Sequence, residues 1–388
     1  ENLKVSRSTT QMAYEQLLSE GYIEALPCKG YFVCRIEELV RVEKNADEEF
    51  AENRSEKEMP YAVDFSTRGI DLDSFPFNTW RRLSRNTLVD DNKEMFAVGD
   101  PQGEYELRAA IRDYLHSARG VSCRPEQILV GAGSEYLLML LSQLLGRETG
   151  IALENPTYRQ AYRVLKSLGH LVVPVKMDRY GMDVLDLEQS KTQAAYVMPS
   201  HQYPTGIVMP VKRRQELLSW AYRGENRYVI EDDYDSEFRL LGKPIPSLQS
   251  IDVMNKVIYM NTFTKSLAPT IRISYMVLPL PLMEQFNRRL GFYSCTVSNF
   301  EQYTLARFIR EGHFEKHINR MRIYYRNQRD FLISAIKKSP LDALVTIQEK
   351  DAGLHFLMKV DTSMSDEQLT QKAKEAGLKI TCLSQYYF

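Results

Sequence analysis

No stretch of this sequence holds the roughly 18 to 20 consecutive apolar residues that a membrane-crossing helix needs. Its first residues, ENLKVSRSTTQM, lack both the apolar core and the small-residue cleavage site of a secretory signal. Both absences point to a cytoplasmic protein. Cysteine is scarce: Cys28, Cys34, Cys123, Cys295 and Cys382 are odd in number, scattered and never spaced CxxC, so neither a disulfide framework nor a cysteine-built zinc site is indicated. The net charge is only −1, so any contact with nucleic acid has to come from a local surface rather than from the whole-protein field. What remains, over 388 residues, is the apolar and charged content of ordinary globular domains, with length for two or three of them.

Charge is unevenly spread. The stretch RIEELVRVEKNADEEFAENRSEKE is dense in charge, poor in apolar residues after Val42, and without sustained helical periodicity. It reads as a linker over 35–60 or as a solvated helix. Either way it separates a short unit, 1–34, from a long one, 61–388.

In the long unit, short apolar runs are each stopped by a polar or glycine-containing cluster: ILV then GAGSE, IAL then ENPTY, AYVM then PSHQYPTG, YVI then EDDYD, VIYM then NTFTK. This alternation predicts an α/β fold with a mostly parallel sheet flanked by helices. Ligands of such sheets collect beyond the carboxyl ends of the strands, so these five clusters should together build the site.

Their chemistry is specific. Lys265, in NTFTKSLAPTIR, is surrounded in sequence by the hydroxyls of Thr262, Thr264 and Ser266, and Arg272 follows seven residues on, able to grip a phosphate with two parallel N–H bonds. Asp232 and Tyr234 stand two apart, so a continued strand puts a carboxylate and a phenol on one face. GAGSE, containing Ala132, Gly133 and Ser134, opens an apolar helix whose N-terminus suits an anion. Tyr158 is placed to stack on a ring or to pack within its own helix. Amine, carboxylate, phenol, aromatic face and phosphate donors are the needs of a pyridoxal 5'-phosphate (PLP) site, with Lys265 holding the cofactor as a Schiff base. The acid run Glu231, Asp232, Asp233, Asp235 and Glu237 is alternatively a solvated turn. A metal site is not expected, because no histidine is near in sequence and the acids alternate between faces.

DPQGEYELRAAI, RGVSCRPEQILVGAGSE, PSHQYPTGIVMP, VIEDDYDSEFR and NTFTKSLAPTIRISYMVLP together resemble the fold-type-I PLP enzymes, and most of all the aminotransferase-like domain of MocR/GabR bacterial regulators, from about Tyr61 onward. The resemblance implies a smaller C-terminal α+β part after the main sheet. It also implies Lys265 for covalent attachment, Asp232 for the ring nitrogen, Tyr234 for the ring hydroxyl, Tyr158 for stacking, and Arg272, Thr262 and Ala132 to Ser134 for the phosphate. Two departures matter: the first weakens the case for efficient transamination, so at most partial or slow transaminase chemistry is expected, and the second concerns the effector. Tyr203 stands where aminotransferases of this fold carry asparagine, and Gln160, beside Arg159, replaces an arginine that binds an effector carboxylate in one branch of the regulators. Arg159, Gln160 and Tyr203 are the expected effector-binding residues, and γ-aminobutyrate is not the expected effector.

The short unit, VSRSTTQMAYEQLLSEGYIEALPCKGYFV, predicts a helix capped by Ser6, with Ala13, Leu17 and Leu18 on one face and Gly21 after its end. A hairpin of YIEAL and GYFV around PCKG follows. An ordinary helix plus hairpin has the same local pattern. The stretch resembles the second half of a GntR-type winged helix-turn-helix entered at its recognition helix. Ser6, Arg7, Ser8, Thr9 and Gln11 are then the candidates for DNA contact. The resemblance further implies that the sequence is truncated at both ends, that a carboxylate-clamping arginine lies past Phe388, and that the protein pairs head-to-tail as a homodimer. The expected function is a PLP-binding transcriptional regulator that senses an amino compound or PLP itself; the alternative is a working class I/II aminotransferase.

Overall fold

The computed structural model describes residues 5–35, 61–66, 69–89, 93–240, 242, 245–349, 351 and 353–388. The chain divides into two compact units, Glu1–Pro60 and Tyr61–Phe388. The expected linker lies, from residue 36 on, outside the described residues.

In the first unit, α1 (Arg7–Ser19) begins where Ser6 accepts a hydrogen bond from the Thr9 amide at 3.1 Å, which satisfies an N–H that has no partner inside the helix. It ends at Gly21, whose φ of +74° a side chain would disfavour. Strands β1 (Ile23–Leu26) and β2 (Gly30–Val33) form an antiparallel hairpin in the register Ile23 to Val33 through Leu26 to Gly30. No residue of α1 is buried and Leu17 is exposed; among the described residues of this unit Ile23 is buried, and Tyr14 and Tyr31 meet at 4.8 Å.

The second unit is built on an eight-stranded sheet. After β3 (Val63–Asp64), its strands are β4 (Ile128–Gly131), β5 (Ile151–Asn155), β6 (Val172–Asp178), β7 (Gly181–Met182), β8 (Ala194–Val197), β9 (Tyr228–Asp232), β10 (Val257–Thr262) and β11 (Ser274–Val277). They lie in the order β4-β11-β10-β9-β8-β5-β6-β7. β5, β6, β8, β9 and β10 pair in parallel, and β11, antiparallel to both β10 and β4, leaves β4 running with them. The five strands picked out in the sequence are thus co-directional, and their carboxyl ends share one edge.

Strict alternation explains why the sheet is covered on both faces. Ile128, Val130, Tyr259, Tyr275 and Val277 face one apolar cluster, together with Leu107, Ile111 and Leu115 of helix Tyr105–Arg119. Their neighbours Leu129, Ile258, Met260 and Met276 face a second cluster with Leu137, Leu138 and Leu141 of helix Ser134–Leu145. Each such leucine, fully withdrawn from water, is worth roughly 1.5–3 kcal/mol. A smaller C-terminal part holds the hairpin Val345–Gln348 with Leu357–Val360, a helix Asp366–Glu375 capped by Ser365, and strand Leu378–Lys379 paired in parallel with β3.

Candidate functional site

Beyond β10 the chain turns into a four-residue helix, Phe263–Ser266, that carries Lys265. Thr262 caps it: its hydroxyl accepts from the Thr264 amide at 3.1 Å, bonds the Thr264 hydroxyl at 2.8 Å, and receives the Ser274 hydroxyl at 2.8 Å. Of the hydroxyls expected to surround the amine, Thr262 and Thr264 are thus joined, with Ser274, in a chain that sets the turn, while the Ser266 hydroxyl is buried outside it. His317, from the long helix His313–Lys337, reaches the Ser266 carbonyl at 3.0 Å and pins the far end of the turn.

On the adjacent strand of the sheet, β9 ends at Asp232, 7% exposed, whose carboxylate receives the Tyr196 hydroxyl from β8. Burial pushes this carboxyl up to about 7, and the neighbouring Asp233 and Asp235 act in the same direction against the hydrogen bond from Tyr196. A cationic ring nitrogen is what would favour the charged form of a carboxylate so buried. The strand stops at Asp232, so Tyr234 reaches the same neighbourhood from a turn rather than by strand alternation. Burial, then Asp235, Tyr203 and Asp232, hold its phenol proton well above the usual range.

The rest of the acid run is not a solvated turn. Arg119 forks onto Asp233 at 2.8 and 3.0 Å, and this pairing, with Ser200 and Tyr259, holds Asp233 low although burial works to raise it. Glu231 accepts the Leu248 and Gln249 amides at 2.7 and 2.9 Å. These residues brace the turn that presents Asp232 and Tyr234.

At the end of β4, Gly133 has φ +103°, and a Cβ built on it would lie 2.4 Å from Nη2 of Arg272. Only a glycine lets the guanidinium enter this turn. Arg272, itself at φ +53°, bonds the Ala132 carbonyl at 3.1 Å and meets Glu135 at 3.4 Å. A guanidinium is thus laid across the first turn of helix Ser134–Leu145, an arrangement that could hold a phosphate. Not all three residues expected there offer their amides: Ala132 donates to Thr296 at 2.9 Å and Gly133 to the Gly131 carbonyl at 2.9 Å. Ser134 stands first in the helix.

Tyr158 precedes helix Arg159–Ser167 and meets Tyr203 edge-on at 5.9 Å. Tyr203 is the centre of an aromatic group, with Tyr234 at 6.0 Å, His355 at 5.5 Å and Tyr386 at 5.3 Å, and its hydroxyl is 2.7 Å from that of Tyr386. Arg159 bonds the carbonyls of Gln385 and Tyr387 at 2.8 and 3.3 Å and lies over the Phe388 ring, so the C-terminal segment engages its guanidinium; Gln160 is exposed. In the first unit, the hydroxyls of Ser6, Ser8 and Thr9 cluster within 2.7 to 2.8 Å, Gln11 is tied to Glu15 at 3.0 Å, and Arg7 is exposed.

Sequence reasoning missed Tyr196, His201, His355 and Tyr386. His201 and His355 come from distant segments to stand by Asp235, and among the described residues these three are the group that could hold a metal ion. The acid run, with no histidine near it in sequence, has two near it in space. His201 had a signal, two residues before Tyr203 in HQYPTG; the others are joined only by folding.

The aminotransferase class I and II family model matches residues 70–388. The chain is 38% identical to the uncharacterised HTH-type transcriptional regulator YdeL of Bacillus subtilis (strain 168), over 99% of this chain and 82% of that protein. It is 33% identical to the probable rhizopine catabolism regulatory protein MocR of Rhizobium meliloti, over 100% of this chain and 81% of that one. A solved multiple substrate aminotransferase from Thermococcus profundus superposes with a TM-score of 0.74 at 23% identity, over 84% of this chain and 83% of that one, and so shares the fold. With an aminotransferase-type sheet, a buried carboxylate, a lysine and a glycine turn holding a guanidinium at its strand ends, and regulator relatives that match this chain nearly end to end, the chain belongs to the MocR-type HTH transcriptional regulators of the aminotransferase class I and II family.

Proposed function

We propose that the protein is a DNA-binding transcriptional regulator whose long unit, 61–388, binds PLP and reads the presence of an amino compound or of PLP itself. The observation that carries the cofactor part is Gly133 and Arg272: a guanidinium lodged in a turn that no Cβ could share, at the mouth of a helix. Asp232, its carboxyl raised by burial, supports the same reading from the other end of the site. Lys265 would hold the group covalently, Asp232 its ring nitrogen, Tyr234 its ring hydroxyl, and Arg272, Thr262, Thr264, Ser134 and the glycine turn its phosphate. Tyr158 would lie against the ring. When bound, PLP supplies an electrophilic carbon that exchanges amines and a protonated ring that withdraws electrons.

Tyr203 supplies a hydroxyl where an effector would sit, and its partner Tyr386 belongs to the C-terminal segment that also engages Arg159. An effector that displaced this contact would bind one arrangement of the segment better than another, which is what a sensor requires. DNA contact belongs to α1, with Arg7 as its cation and Ser6, Ser8, Thr9 and Gln11 beside it; a cytoplasmic, head-to-tail homodimer would present two such helices to two half-sites. The test is a gel shift of the full-length PLP-loaded protein on DNA from its own upstream region, with and without a panel of amines and amino acids. A shift that responds to a compound which also changes the PLP absorbance supports the reading. No shift under any PLP or amine condition rejects it.

A further inference from the structure

His201 and Asp235, 3% and 2% exposed, are buried beside Tyr234. Nδ1 of His201 lies 2.8 Å from Asp235 Oδ2 and 3.1 Å from the Tyr234 hydroxyl. One ring nitrogen carries either a hydrogen or a lone pair, so it cannot donate to Asp235 and accept from Tyr234 together. An ionised carboxylate only accepts, and the shorter contact is the charge-assisted one, which makes Nδ1 the donor. The Tyr234 oxygen then faces an N–H, and its own hydrogen points away from the imidazole, with the Asp235 carboxylate as its acceptor within the protein. Nε2 of His201 is left as a buried lone pair with no partner among the described residues.

The ring cannot turn to escape this arrangement. Gly353, at φ +68°, lies so close that a Cβ there would be 1.8 Å from Cε1 of His201. His355 flanks the ring at 4.6 Å and is itself anchored through Nε2 to the Pro204 carbonyl at 3.1 Å. A metal bound by these three groups is the competing account. The 2.8 Å contact, however, is that of a hydrogen bond, whereas two ligands of one tetrahedral zinc stand roughly 3.3 Å apart.

We propose that His201, oriented by Asp235 and locked by Gly353 and His355, is a positioning residue for Tyr234, holding the phenol oxygen in place so that its hydrogen can turn from Asp235 to the ring oxygen of PLP. The inference rests on the reading that Tyr234 meets that oxygen. The charged and titratable groups facing this arrangement are Asp232 and Asp235, Tyr203 and His355, Lys265 close to His355, and Arg119 and Arg239, which line a cavity with His201.

The experiment uses full-length protein loaded with PLP and measures two quantities: PLP affinity and the pH midpoint of the visible absorption band. Tyr234→Phe and His201→Phe should each weaken PLP tenfold or more and move the midpoint in the same direction. The double variant should go no further than either single one. His201→Asn, whose amide N–H can replace Nδ1–H, should stay within threefold of wild type, and Asp235→Asn should fall between. The proposal is overturned if His201→Phe leaves both quantities unchanged while Tyr234→Phe alters them, or if the two effects add. Should His201→Phe not fold, an Asp235→Asn protein indistinguishable from wild type overturns it equally. Stoichiometric zinc binding that His201→Phe abolishes would overturn it in favour of a metal site. Absence of any band that Lys265→Ala removes would reject the PLP reading itself, a result separable from the others.

Discussion

At Asp232 the folded protein holds a carboxyl near 7 that would titrate near 3.8 in an unfolded chain, chiefly through burial. A raised carboxyl contributes stability below the unfolded value and loses that contribution as pH rises through the folded one. The PLP-free protein should therefore lose stability between about pH 4 and 7. Asp232→Asn should melt higher than wild type at pH 8 when PLP is absent, by roughly 1–4 kcal/mol in stability, and should bind PLP at least tenfold more weakly. Calorimetry with and without PLP checks both signs, and a lower melting point of the PLP-free variant contradicts the assignment. Gly133→Ala tests the cradle. Its φ of +103° and the 2.4 Å approach to Arg272 predict a cost of about 1–3 kcal/mol and a loss of PLP affinity matching that of Arg272→Ala. Unchanged PLP titrations would place the phosphate elsewhere. At this scale Lys265, Asp232 and Tyr234 were legible as candidates because each sits at or just past the end of an apolar strand run, and Arg272 because it follows Lys265 by seven residues. Tyr196 was not: it is an ordinary aromatic in β8 until β9 pairs beside it and brings Asp232 within reach.

Among the elements, α1 shows how one residue serves two readings. Ser6 spends its hydroxyl on the cap, so Ser6→Ala should lower helix stability by about 1 kcal/mol. Arg7 makes no such contribution and is exposed. Arg7→Ala should leave the far-ultraviolet circular dichroism unchanged, weaken DNA binding across sequences, and reduce the slope of log affinity against log salt by about 1. An unaltered salt slope would remove Arg7 from the interface. The predicted helix, hairpin and five strand ends all appear as elements, since capping, alternation and turn chemistry are local. The missing burial of Leu17 and the engagement of Arg159 by residues 385–388 are not local, and no pattern within α1 or ENPTYRQAY announces them.

Over the whole molecule, one buried histidine, His317, and one half-buried, His355, make the second unit sensitive to acid. Burial pulls His317 down to about 4, helped by Arg320, and pulls His355 down to about 4, helped by His201 and Lys265. A depressed histidine contributes stability above its unfolded value near 6.5, which is lost as pH falls towards the folded one. Urea midpoints should thus fall between about pH 6.5 and 4, and His317→Gln should flatten that slope. A slope unchanged by the substitution would assign the loss to other groups.

The sequence by itself determined the α/β class, the order of the strands along the chain, and the lysine, carboxylate and glycine turn at their ends, because each is written in a few consecutive residues obeying a period or a turn rule. Tertiary structure alone decided that β11 runs against its neighbours, that Tyr196 meets Asp232, and that His201 and His355 close on Asp235. The physical reason is one of range: these contacts join residues tens to more than a hundred positions apart, and they exist only once the sheet has fixed which strand ends share an edge.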